Sequence, residues 1–162
     1  FKDQMNLSSG DDELLMQKIA KDSDFKVKFC IDKRAIVKTA ANKTIGDFYQ
    51  QRKRWASKGL FYSDKSLVLK LIFIYSFYLG LVAQIVLGLF FHPVFLFSFL
   101  ASIILKYIFE FRILSKGQKI FFKDLQLKYL IAAEIFQIPY IIFTGLVGAF
   151  GNYLWKSRKV KR

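Results

Sequence analysis

From Leu67 to Phe91 the chain is apolar for about 25 residues, broken only by Lys70. A helix of that length covers roughly 30 Å of hydrocarbon, so the pattern predicts a membrane span over 67–91. His92-Pro93 interrupts the run, and a second apolar stretch predicts another span over 94–113. Within it Lys106 and Glu110 stand four apart, on one helix face, where they can pair or reach toward the interface. The uncharged His-Pro break predicts a tight helical hairpin whose tip lies on the non-cytoplasmic side, because the cations sit at the other ends. His92 has no second His or Cys beside it and reads as a turn residue rather than a ligand. Arg112, Lys116, Lys119, Lys123 and Lys128 then alternate with Ile120, Phe121, Phe122 and Leu125, which suits an amphipathic segment over 112–128 on an anionic cytoplasmic leaflet. A third apolar stretch, 129–153, contains Glu134, Gln137 and Pro139, then Gly145, Gly148 and Gly151, and ends in the basic tail after Trp155. A full third span would put that tail outside. A helix kinked or re-entrant near Pro139 would keep it inside, which the positive-inside tendency favours.

The first 66 residues carry a different pattern. Ser9 followed by Asp12 matches a capping box ahead of Leu14, Leu15, Met16 and Ile19, which predicts a helix. On the residues alone, the acids there serve the positive end of that helix. Phe25 to Ile31 alternates apolar and mostly polar positions and predicts a half-buried strand, with Ala35-Ile36-Val37 as a second short one. Thr44, with Asp47 three positions on, opens another helix that Gly59 is placed to stop. The sequence therefore predicts three regions: a mixed α/β part over 1–43, an amphipathic interfacial helix within 44–66, and membrane helices over 67–162, with helix greatly outweighing strand.

Composition agrees with this division. The chain is 54% hydrophobic yet holds 26 Lys and Arg against 12 Asp and Glu. Residues 1–66 have 14 basic and 9 acidic side chains, a net of +5; residues 67–162 have 12 and 3, a net of +9. Cations concentrated beside apolar spans are accounted for by snorkelling to lipid headgroups, and that reading is preferred to nucleic-acid binding. Cys30 is the single cysteine, so neither an internal disulfide nor a cysteine-rich metal site is available. Asn42-Lys43-Thr44 fits a glycosylation acceptor, a pattern that arises often by chance. The start on Phe1, with no signal-peptide pattern, reads as a fragment whose beginning is missing.

Candidate chemistry lies on the second helix. Gln51, Arg54 and Trp55 stand at i, i+3 and i+4 and share a face. A guanidinium can grip phosphate oxygens through two parallel hydrogen bonds, an amide can bond a phosphate or hydroxyl, and an indole offers a flat face to a sugar ring. A membrane-interface helix with snorkelling cations and a belt Trp would use the same residues, and the two roles are compatible.

Two motifs in this order carry a resemblance. Ser9-Gly-Asp-Asp-Glu13 resembles the acidic motif, and Gln51-Arg-Lys-Arg-Trp55 the Q-x-x-R-W motif, of the membrane-integrated family 2 glycosyltransferases, the group that includes cellulose, chitin and hyaluronan synthases. About forty residues separate them, and apolar helices follow. The resemblance covers the first 60 residues by motif and the remainder by layout only. It implies that residues 1–43 are the C-terminal edge of a GT-A-like catalytic domain. It also implies an inverting transfer from a nucleotide sugar to a polysaccharide or lipid-linked acceptor, on the cytoplasmic face of a membrane, by family habit the bacterial inner membrane. Asp12 takes the role of general base, supported by Asp11; Gln51 and Arg54 hold the leaving diphosphate, and Trp55 packs on the acceptor sugar. The family's divalent cation, Mg²⁺ or Mn²⁺, has no expected ligands in these 162 residues, because its D-x-D motif lies upstream of the acidic motif; the isolated segment is expected to be inert. A non-catalytic basic membrane anchor or assembly subunit is the alternative.

Overall fold

The computed structural model describes residues 11–59, 62, 64–121, 126–150, 153–155 and 158–160. Its elements are α1 (Asp11–Asp22), α2 (Ile45–Ala56), α3 (Lys65–Phe90), α4 (Val94–Ile120), α5 (Leu130–Phe150), β1 (Tyr153–Trp155) and β2 (Arg158–Val160). The described residues fall into two compact units, one drawn from Phe1–Phe29, Thr39–Phe73 and Phe143–Arg162, the other from Cys30–Lys38 and Ile74–Ile142.

In the first unit α1 buries Leu14 and leaves Asp12 exposed. The N-cap proposed at Ser9 lies outside the described residues. α2 begins as its sequence predicts: Thr44 Oγ1 accepts from the Asp47 backbone N–H at 3.0 Å and donates to the Asp47 carboxylate at 2.8 Å. The helix closes at Ala56, short of Gly59, where the Ser57 N–H donates to the Lys53 carbonyl and its hydroxyl to that of Arg54. Asp64 then accepts from the Ser66 N–H at 2.8 Å and starts α3 two residues before the first apolar position, a cap that the hydrophobic pattern alone does not reveal. The last turns of α5 lie directly on the end of α2. A Cβ on Gly148 would sit 2.7 Å from Ala56 Cβ and 2.8 Å from the Lys53 carbonyl oxygen, so only hydrogen fits there. Gly148→Ala is therefore expected to lower stability by about 1–3 kcal/mol. Gly80→Ala, at a position with nothing within 4 Å, should not. Paired thermal melts in detergent check this. β1 lies beside α2 and pairs antiparallel with β2, Leu154 opposite Lys159.

In the second unit the carboxy-terminal part of α3 and the start of α4 form the predicted hairpin. His92 Nδ1 accepts from the Val94 N–H at 3.2 Å, so His92 is the turn residue the sequence suggests. Gly88 lets Leu96 approach until a Cβ would be 2.6 Å from its side chain. Few side chains are buried: Leu81 is 1% and Tyr78 4% exposed, whereas Phe77, Phe97 and Phe109 stay open, as they must in helices whose partner is lipid. Lys65–Phe90, Val94–Ile120 and Leu127–Ala149 are each long and apolar enough to cross a membrane. That is the make-up of an integral membrane protein in contact with a bilayer.

Several predictions are corrected. Phe25–Ile31 forms no strand and is exposed throughout, Phe29 to 81%. Alternation specifies a strand only when another strand accepts its ladder, and none does so among the described residues. Ala35 closes a tight turn instead: Asp32 accepts from the Arg34 N–H at 2.9 Å and grips its guanidinium, and this local bonding wins over extension. The guanidinium holds the Asp32 carboxyl below the usual carboxylate range. Over 11–43 the chain thus shows one helix, one turn and irregular backbone, and no α/β layer. α4 runs on to Ile120, so 112–120 continues the second long helix rather than forming a separate surface segment. α5 is one helix across Pro139, with no break there, and it ends before Tyr153, which belongs to β1.

Candidate functional site

A cavity of about 650 Å³ opens in the first unit between α2 and the extended chain before it. Phe48, Gln51, Arg52 and Trp55 form its helical wall, and Thr39 to Ile45 the other. The four helical positions follow the i, i+3, i+4, i+7 rule, so one stripe of α2 faces the space. Thr44 folds the preceding chain back over that stripe, since its cap fixes the entry angle of the helix.

Two of the three residues singled out on α2 meet here. Gln51 Oε1 accepts from Asn42 Nδ2 at 3.0 Å, which joins the two walls. Trp55 is half exposed, its ring under the Arg52 guanidinium at 4.6 Å, while the Phe48 ring flanks the same guanidinium at 4.9 Å. Arg54 is the exception. It is absent from the lining, where Arg52 and Lys43 are the cations. Spacing could have found Arg52: it lies three before Trp55 and four after Phe48, and the guanidinium spans both rings. Asn42, read first as part of a weak glycosylation pattern, is engaged with Gln51.

Asp12 stands in the first turn of α1, solvent-exposed, where a carboxylate suits the positive end of a helix. Nothing is described of the Asp11 side chain. Glu13, next in the acidic run, accepts from the Tyr62 hydroxyl at 2.7 Å, across 49 residues of sequence. Burial, and then Glu13, push the Tyr62 phenol above its ordinary range, so it stays a neutral donor. This bond ties the helix bearing the acidic run to the segment just before α3, and no periodicity in the sequence announces it.

Among the described residues no three His, Cys, Asp or Glu side chains gather closely enough to hold a metal ion. A dense polar cluster lies in the second unit. There the Lys106 ammonium donates to Glu110 at 2.8 Å, Gln137 at 2.6 Å and Glu134, beneath the Tyr78 ring. Lys106 is 7% and Glu134 6% exposed by side chain, so the three acceptors satisfy all three donors of a cation within the apolar helices. The sequence pairs Lys106 with Glu110 correctly; α5 adds Glu134 and Gln137.

Comparison with protein-family models, curated proteins and solved structures finds no match to this chain.

Proposed function

We propose that this protein is a membrane-bound glycosyltransferase that moves a sugar from a nucleotide-sugar donor to a glycan or lipid-linked acceptor. The observation that carries the reading is the α2 cavity, which joins Gln51, Arg52 and Trp55 in one space a few residues before the first long apolar helix. An aromatic face, an amide and a cation are what a sugar phosphate needs: stacking for the ring, and donors for the oxygens. The position beside a membrane entry suits an acceptor that lives in or crosses the bilayer.

In the proposed reaction the acceptor hydroxyl attacks the anomeric carbon as Asp12 takes its proton. The bond from that carbon to the diphosphate oxygen breaks, and the nucleoside diphosphate leaves with the electron pair. Configuration at the carbon inverts. Gln51 and Arg54, by the motif resemblance, offset the charge that grows on the leaving diphosphate, often a large part of such catalysis. Trp55 seats the acceptor sugar. Asp11 supports Asp12. A cytoplasmic site on a bacterial inner membrane belongs to the same proposal.

Arg54 provides the test. Arg54→Lys keeps the charge and loses the two-pronged grip, so kcat/KM for the nucleotide sugar should fall about 10- to 100-fold in the complete gene product. Unchanged kinetics there, together with a loss in Arg52→Lys, would move the diphosphate to Arg52. Unchanged kinetics in both variants would remove diphosphate recognition from this helix. The three apolar helices also fit a non-catalytic basic anchor or assembly subunit, which leaves the cavity without a ligand.

A further inference from the structure

The cluster around Lys106 has no part in the reaction above, and its charges do not balance. Tyr78 and Lys106 stand near the middle of α3 and α4, helices of 26 and 27 residues, so the cluster sits at mid-height of two candidate spans. Lys106 gives its three donors to Glu110, Gln137 and Glu134, with its Nζ 5.7 Å from the centre of the Tyr78 ring. Only an ammonium group has three N–H donors, so the three acceptors fix Lys106 as a cation. One positive charge then faces two carboxyls. The other titratable side chains about them are Tyr78 and Tyr140, and neither brings a second cation.

Glu134 shows where the excess lies. Its side chain is 6% exposed, and Oε2 takes the Lys106 bond. Oε1 is buried, and no donor reaches it. The Glu110 carboxyl, more open at 31%, stands within hydrogen-bond reach of the Glu134 carboxyl. Two carboxylates so placed among apolar helices repel one another, and one cation offsets only one of them. A buried anionic oxygen that accepts no hydrogen bond adds a desolvation cost. A single proton removes both faults: held by one carboxyl, it donates to the other, and the cluster becomes neutral. A metal ion would need more oxygens than this, and among the described residues no group of three such ligands forms.

We infer that Glu110 and Glu134 form a proton-binding site within the apolar helices, where the two carboxyls share one proton and Lys106 balances the charge that remains. The proton adds to a carboxylate oxygen of one glutamate and is hydrogen-bonded by the other, and no bond between heavier atoms changes. Glu110 is the more open carboxyl and lies nearer the end of α4 that carries Arg112, Lys116 and Lys119, so the proton enters and leaves through it. Glu110 comes from α4 and Glu134 from α5, so the bound proton also links two helices. None of these groups acts in the proposed sugar transfer, and the site does not depend on that reading.

Infrared difference spectra, recorded against pH on the complete gene product in lipid nanodiscs, read the carbonyl stretch that only a protonated carboxyl shows. The wild type should carry such a band at neutral pH, where ordinary carboxyls are ionised, and heavy water should shift it. Glu110→Gln and Glu134→Gln should each lose the band, because either change leaves one carboxylate to one ammonium. Asp24→Asn, at an exposed position outside the cluster, should keep it. Absence of the band from the wild type at neutral pH, with its helical circular dichroism intact, overturns the proton site whether or not the variants fold. Retention of the band in either folded glutamine variant overturns the sharing, since the proton then belongs to one carboxyl alone or to another group. A melting midpoint that rises with sodium chloride but not with choline chloride, and no band, would give the site to a metal cation instead.

Discussion

Asp12→Asn should leave the protein in the membrane at the wild-type level and reduce sugar transfer by a factor of about 10²–10⁴. The two expectations come from different parts of the chain. Asp12 is exposed on the first turn of α1, whereas the buried contacts of that helix include Leu14 and the bond between Glu13 and Tyr62. Asn keeps the size of the side chain and gives up only a first-turn charge, so the helix stays intact. What disappears is the basic oxygen that must receive a proton as the acceptor attacks. Membrane fractionation and a transfer assay on the same preparation separate the effects. Lost activity with lost protein would indicate a structural role, and full activity would remove Asp12 from the reaction.

Lys106→Met should be the most destabilising single change in the apolar helices. It strips the cation that Glu110, Glu134 and Gln137 share, and leaves two carboxyl groups where water is scarce. Removing one partner of a buried ion pair costs about 3–5 kcal/mol, which for a chain of this size moves the melting midpoint by on the order of 10 °C. Exchanging the whole set is a different matter. Lys106→Met combined with Glu110→Gln and Glu134→Gln removes every charge together and should recover most of the loss, since well-packed neutral groups often replace a buried pair without penalty. Thermal melts of the single and triple variants in one detergent test this. Equal midpoints for the single variant and the wild type would mean that the cluster carries no net stability.

The long helices were legible because their signal is collective. Twenty or more apolar residues in a row leave no alternative, and the structure moves the first boundaries by only two residues, for local reasons such as the Asp64 cap. The hairpin was readable for the same cause, a proline and a histidine between two such runs. The short elements were not. Phe25–Ile31 has the alternation of a strand, but a strand is a property of two segments and its partner cannot be read from one. At Ala35 the aspartate two residues before Arg34 decides the backbone, and a side chain bonding its own neighbour overrides any periodicity. Pro139 shows the opposite case. A proline costs one helical hydrogen bond, and the apolar residues on both sides of it keep α5 whole.

On α2 the face was predicted and its membership was not quite. Gln51 and Trp55 reach the cavity as their spacing requires, while Arg54 gives way to Arg52. The difference is a matter of which stripe the capped chain folds over, and that depends on Thr44 and Asn42 rather than on the helix itself. The intramembrane cluster was half visible: Lys106 and Glu110 sit on one helix, but Glu134 and Gln137 arrive from another, and no local rule joins them.

The most direct test of the proposed activity is to present membranes carrying the complete gene product with a panel of radiolabelled nucleotide sugars. The expected result is consumption of one of them, with release of one nucleoside diphosphate for each sugar incorporated into a glycan or lipid product of inverted configuration. Failure to consume any nucleotide sugar, in membranes where the protein is folded and inserted, would contradict the transferase and favour the anchor or assembly subunit.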